Sequence, residues 1–151
     1  MTKKEKRELI YNKYDGRCAY CGELLEKGWH IDELEPVKRG WEYIKDETGA
    51  KIWDIEKLRY KTKSTIMYPE RFNIENQMPS CPSCNINKHS GSLEEFRKLI
   101  EGFMKHLNEI NTQYKIAKRY GLVIEDIKPV VFYFETLGEN FNLNYEKTHQ
   151  D

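Results

Sequence analysis

Four cysteines stand in two pairs, Cys18-Ala19-Tyr20-Cys21 and Cys81-Pro82-Ser83-Cys84. Thiolates spaced this way on a tight turn reach one ion together, and two such turns complete a tetrahedron. Met1 leads straight into charged residues with no apolar leader, so the pairs read as a structural zinc site rather than two disulfides. Gly22, directly after the first pair, suits such a knuckle. Four sulfur ligands close the coordination shell, so this zinc is expected to hold the fold rather than catalyse. The 59 residues between the pairs exceed a simple zinc ribbon, so something is built between the knuckles. Beside them lie Asp32-Glu33, Asn76 and the run Asn85 to His89, oxygen and nitrogen donors able to converge inside the zinc clamp.

The elements that must position these groups follow from local pattern. Residues 3–14 suit a short basic helix with Leu9, Ile10 and Tyr14 on its apolar side, ended by Asp15-Gly16. Residues 29–34 alternate apolar and polar side chains like a strand that Pro36 closes, and residues 74–78 suit a second strand. Between them, Asp46 to Gly49 is flanked by Trp41/Tyr43/Ile44 and Ile52/Trp53/Ile55, which reads as a hairpin, with residues 62–72 as loop. A short helix is expected over 85–89. Ser92 and Glu95 form a capping box for a longer helix whose Leu93, Phe96, Ile100, Phe103 and Leu107 recur at helical spacing. Helical pattern resumes to Tyr120, with Gly121 as its cap, and residues 128–134 read as a terminal strand.

Tyr14 to Gly22, Ile31-Asp32-Glu33-Leu34-Glu35-Pro36, Ile74 to Pro79 and Cys81-Pro82-Ser83-Cys84-Asn85-Ile86-Asn87-Lys88 together resemble the HNH endonuclease family. The resemblance covers roughly residues 10–90. Residues 92–96 and 114–134 look like the C-terminal extension of phage-encoded members. It implies a single α+β domain: a zinc-stapled ββα-metal core (1–91), a hairpin inserted at about 37–72, and a helical extension with a terminal strand (92–151). It also implies that Asp32 and Asn85 bind a catalytic Mg²⁺ or Mn²⁺, with His89 one helical turn further as another ligand. Asn76 falls on the asparagine that braces the loop of the general base. Where the family has its general-base histidine, this chain has Glu33. Three readings stay open: Glu33 serves as the base, His30 on the same strand replaces it, or cleavage is lost and a binding module remains.

The charges balance at 25 basic and 25 acidic side chains, so no global field draws the chain to a polyanion, and none speaks to its oligomeric state. Locally the balance is uneven. Residues 36–63 carry eight basic and five acidic side chains, whereas the tail from Leu122 carries two and six. Arg17, Lys38, Arg39, Lys57, Arg59, Lys61 and Lys88 are therefore the candidate phosphate contacts. Trp41, Tyr43, Trp53 and Tyr60 interleave with these lysines, and their expected place is against the core. The longest strongly apolar run, Val130 to Phe134, is far too short for a bilayer, so a cytoplasmic protein is expected, in the bacterial host if phage-encoded. The favoured function is metal-dependent cleavage of DNA. The rivals are a silent HNH-like module binding nucleic acid or a protein partner, and a structural zinc protein.

Overall fold

Thr2 and Glu5 open the first helix through a reciprocal cap. The Thr2 hydroxyl accepts from Glu5 N at 3.2 Å while the Glu5 carboxylate accepts from Thr2 N at 2.7 Å. In the computed structural model, which describes residues 1–138, this helix is α1 (Lys3–Asn12), with Ile10 buried. The end of the acidic tail, residues 139–151, lies outside the described residues. The chain then turns at Asp15-Gly16, both at positive φ. At φ 70° Gly16 avoids the strain a side chain would meet, and a Cβ there would also displace the Tyr11 ring, whose hydroxyl oxygen would lie 2.6 Å away. The turn delivers the first cysteine knuckle, closed by Cys18 N donating to Glu23 O at 2.8 Å and Gly22 N to Cys18 O at 2.9 Å.

After β1 (His30–Glu33) the chain enters a ribbon in which no residue from 39 to 66 is buried. β2 (Arg39–Tyr43) runs outward to a turn at Asp46, whose carboxylate accepts from Thr48 N, Thr48 Oγ1 and Ala50 N. β3 (Trp53–Asp54) and β4 (Arg59–Tyr60) pair across a second turn. β5 (Thr62–Ile66) then returns antiparallel to β2, with Tyr43 opposite Thr62 and Arg39 opposite Ile66. The expected turn at 46–49 is present, but the main partner of β2 lies within the expected loop. Thr62, Thr65 and Ile66 are β-branched and stiff, which suits extended chain.

A 3-10 turn (Pro69–Arg71) leads to β6 (Gln77–Ser80), buried at every position and antiparallel to β1, with Asp32 opposite Met78. This strand begins three residues later than expected and runs directly into the second knuckle. Cys81 caps α2 (Pro82–Lys88), and Pro82 occupies the first turn, where a missing N–H costs nothing. Strand, returning strand and helix thus stand together around the cysteines.

α3 (Leu93–Ile110) starts at the Ser92/Glu95 capping box and α4 (Thr112–Arg119) follows. No strand forms over 128–134. Phe132 is 1% exposed, stacked on Phe96 at 5.4 Å and meeting Tyr20 edge-on at 5.6 Å. With Phe132 anchored, Tyr133 N and Phe134 N donate to Tyr20 O and Ala19 O at 3.0 and 2.9 Å, and α5 (Tyr133–Thr136) begins. The backbone donors are satisfied by the knuckle rather than by a neighbouring strand. The extension therefore packs onto the first cysteine pair. Among the described residues, no helix is long and apolar enough to cross a membrane.

Replacing Ser92 with alanine removes the cap of α3 and should cost about 1 kcal/mol in equilibrium urea unfolding at neutral pH. The bonds that Glu95 accepts from Ser92 N and the Ser92 hydroxyl hold its carboxyl below the usual range. That half of the cap is present above the ordinary carboxylate range and is lost as pH falls through the lowered value. An unchanged unfolding midpoint in the variant would deny the cap its role.

Candidate metal centre and active-site cleft

The two knuckles bring Cys18, Cys21, Cys81 and Cys84 together, with all four Sγ atoms within 4.8 Å of one another. Cys21 and Cys81 Sγ are 3.8 Å apart. A tetrahedron with zinc–sulfur bonds of roughly 2.3 Å has an edge of about 3.8 Å, so the sulfurs fit that ion with little movement. Backbone donors already face them: Cys81 N reaches Cys18 Sγ and Cys84 N reaches Cys81 Sγ, each at 3.4 Å. Hydrogen bonding from Cys84, aided by backbone donors, pulls Cys18 down to about 4, while burial pushes Cys21 up to about 11. A metal taken up here expels the protons that remain, so its affinity rises with pH.

Beside this cluster, β1 and α2 face each other across an open cleft of about 440 Å³ lined by Asp32, Glu33, Arg39, Asn85, Lys88 and His89, among others. Asp32 is 5% exposed. Its Oδ2 accepts from the Tyr20 hydroxyl and pairs with Lys88 Nζ at 3.0 Å. Among the described residues nothing bonds Oδ1. Burial, with the Asp32 charge next, pushes the Tyr20 hydroxyl far above its ordinary range, so it stays a donor. Glu33 is half-buried in the same cleft, and its side chain is unpartnered among the described residues. Its carbonyl accepts from Lys88 Nζ at 2.6 Å.

Asn76 acts from outside the cleft. Its Oδ1 accepts from Glu35 N at 2.8 Å, and its Nδ2 donates to Glu35 O and Arg71 O at 2.9 and 2.8 Å. One side chain thus ties the segment after β1 to the 3-10 turn before β6, holding Glu33 at a defined exit from its strand. Asn85 is half-buried on α2 and lines the cleft.

Several sequence expectations are changed by the placement. Lys88, expected at a phosphate-binding surface, is 3% exposed and committed to Asp32 and the Glu33 carbonyl, because α2 packs that face onto β1. His89 is not on the helix face. The helix ends at Lys88, and His89 sits at φ 51°, exposed, with Nδ1 2.9 Å from Ser90 Oγ, while still bordering the cleft. Arg17 donates to Gly22 O at 3.0 Å and so braces the knuckle. Arg39 is exposed where the ribbon meets the cleft, and Lys38 lines an adjoining cleft of about 790 Å³ with Tyr68 and Arg71. Lys57, Arg59 and Lys61 are exposed at the outer ribbon, and His30 is exposed outside the cleft lining. Tyr20 was the residue overlooked. Its place between the first two cysteines was the available signal, since a knuckle residue must lie near whatever the metal clamps.

These features define an α+β protein with small antiparallel sheets and a four-cysteine cluster able to hold a metal such as zinc. Compared with family models, curated proteins and solved structures, the chain matches none.

Proposed function

We propose that this chain is a metal-dependent endonuclease of the HNH type that hydrolyses DNA phosphodiester bonds, stapled by a structural zinc ion. The observation that carries the reading is the convergence of Asp32, Glu33 and Asn85 on one cleft. The donor types are those a hard cation takes: the unbonded Oδ1 of Asp32, the side-chain oxygen of Asn85 and the ring of His89, all bordering the one cleft. Held by Asp32 and Asn85, a Mg²⁺ or Mn²⁺ ion would supply charge neutralisation to the phosphodiester. Tyr20 and Lys88, both on Oδ2, orient Asp32 so that its other oxygen is available. Glu33 accepts the proton of the attacking water as the new phosphorus–oxygen bond forms, and the departing oxygen takes its proton from solvent. Asn76 fixes the exit of that strand and so the place of Glu33.

A second reading is favoured by the Asp32–Lys88 pair itself. An ammonium 3.0 Å from Asp32 already balances its charge and opposes the entry of a dication. On that reading the module binds nucleic acid or a protein partner without cutting.

Incubation of zinc-loaded protein with supercoiled plasmid, with and without added Mg²⁺ or Mn²⁺, separates the two. Metal-dependent nicking is expected, and Glu33→Gln should reduce its rate about 100-fold or more. Glu33 is the appropriate probe because its side chain bonds nothing among the described residues, so the variant folds as the parent does. Intact plasmid with either metal, from folded zinc-loaded protein, would favour the silent module.

A further inference from the structure

The ribbon does not send its aromatics inward. Trp41 is 74% exposed, Tyr43 48%, Trp53 47% and Tyr60 43%, so the expectation that they pack on the core fails. Alternation along β2 puts Arg39, Trp41 and Tyr43 on one face, opposite Ile66, Ser64 and Thr62. Tyr60 continues that face, its ring 5.8 Å from Tyr43 and 5.0 Å from Trp53. The Lys51 ammonium lies 4.0 Å from the Tyr43 ring centroid.

Cross-strand ring pairs stabilise a two-stranded ribbon, and that accounts for Tyr43, Tyr60 and Trp53. It does not account for Trp41. Opposite Ser64, its indole has no ring or cation contact among the described residues. Charge is arranged to match. Arg39, Lys45, Lys51, Lys57, Arg59 and Lys61 form no ion pair among the described residues; of the ribbon's carboxylates, Glu42 pairs with Lys63, Asp46 and Asp54 accept from N–H groups of their own turns, and Glu47 and Glu56 stand exposed. Arg39, Lys45 and Lys51 share the ring face, whereas Arg59 and Lys61 alternate to the other side. A face of exposed rings with Arg39, Lys45 and Lys51 along it complements a polyanion whose bases have open π-faces. Duplex bases hide those faces in the stack, and an unpaired strand presents them.

We infer that the outer ribbon is a platform for single-stranded DNA, with bases stacking on Trp41 and its neighbours while the ribbon cations follow the phosphates. Arg39 joins this platform to the cleft, since it opens β2 and also lines the space around Asp32 and Glu33. The substrate class becomes DNA with an unpaired segment beside the bond to be cut. The choice of DNA rests on the proposed nuclease reading; the choice of an unpaired strand rests on the ribbon alone.

The test is fluorescence anisotropy with labelled oligothymidylate, its duplex with oligoadenylate, and oligouridylate, on zinc-loaded full-length protein without added Mg²⁺ or Mn²⁺. The thymidylate strand is expected to bind more tightly than the duplex, with quenching of tryptophan fluorescence. Trp41→Thr should weaken that binding roughly 5- to 100-fold, in line with the loss of one stacked base, and leave the melting midpoint unchanged. Neutralising Lys45, which continues the Trp41/Tyr43 face, should flatten the salt dependence by about one counterion. Equal binding by Trp41→Thr and the parent, or a preference for duplex, overturns the platform; parent self-association in sedimentation that Trp41→Thr abolishes would then assign the face to a second copy. Tighter binding of oligouridylate overturns the choice of DNA. Strand binding without nicking strikes only the nuclease reading, and nicking without strand preference strikes only this one.

Discussion

Stripping the metal from the four-cysteine cluster is expected to unfold the chain. The cluster joins the first knuckle, the end of β6 and the start of α2, beside a small core in which Tyr14, Ala19 and Tyr20 meet Met78 and Lys13 Nζ donates to Glu75 O and Gln77 O. Across that junction the backbone contributes the bond from Ala19 N to Pro79 O at 2.8 Å. The buried cluster itself is lean, and Cys18 and Ala19 are two of its members. Apparent binding energies of structural zinc run to about 10–16 kcal/mol near neutral pH. That is comparable with or above the whole stability of a typical domain, about 5–15 kcal/mol. The expected result is one zinc ion per chain by elemental analysis, and loss of helical circular dichroism on treatment with a strong chelator. Cys84→Ser should reproduce the loss in the presence of zinc. Acid should act in the same direction, because the ligands must be ionised to bind and protonation competes as pH falls. Unchanged melting after complete zinc removal would show that packing alone holds the knuckles.

The second large effect belongs to Lys88→Met. The side chains of Lys88 and Asp32 are 1% and 6% exposed, so removing the ammonium leaves a carboxylate with the Tyr20 hydroxyl as its remaining partner. Breaking one half of a buried pair costs about 3–5 kcal/mol, whereas replacing both halves is often close to neutral. For a chain of this size the loss corresponds to a fall in melting midpoint of roughly 6–20 °C. Adding Asp32→Asn to Lys88→Met should recover most of it. The single variant also bears on function, since Asp32 is then free to seek another cation. If it is the metal ligand proposed above, Mn²⁺ should raise the midpoint of Lys88→Met and leave that of the double variant where it was. No response to Mn²⁺ would favour the silent module.

The cysteine pairs, the glycines at the first turn and knuckle, and the capping box at Ser92 were legible in the residues because each is a local device. Neighbours within a few positions decide whether a turn closes or a helix starts. The short strand with Asp32 and Glu33 was legible for the same reason. The partner of β2 was not, because two tight turns intervene and a nearest-neighbour reading stops at the first. Residues 128–134 have the composition of a strand, yet Phe132 enters the aromatic core and the following N–H groups find the carbonyls of Ala19 and Tyr20.

The candidate site divides in the same way. Sequence alone determined which donors exist and that the cysteines would gather them. Tertiary structure decided that Lys88 neutralises Asp32 across 56 positions, that His89 leaves the helix, and that Trp41 faces solvent. An alternating aromatic strand reads alike whether its face is covered or bare. Only the packing of the remaining chain determines which face is covered, and among the described residues it packs on β1, β6 and α2 and leaves the ribbon's ring face bare.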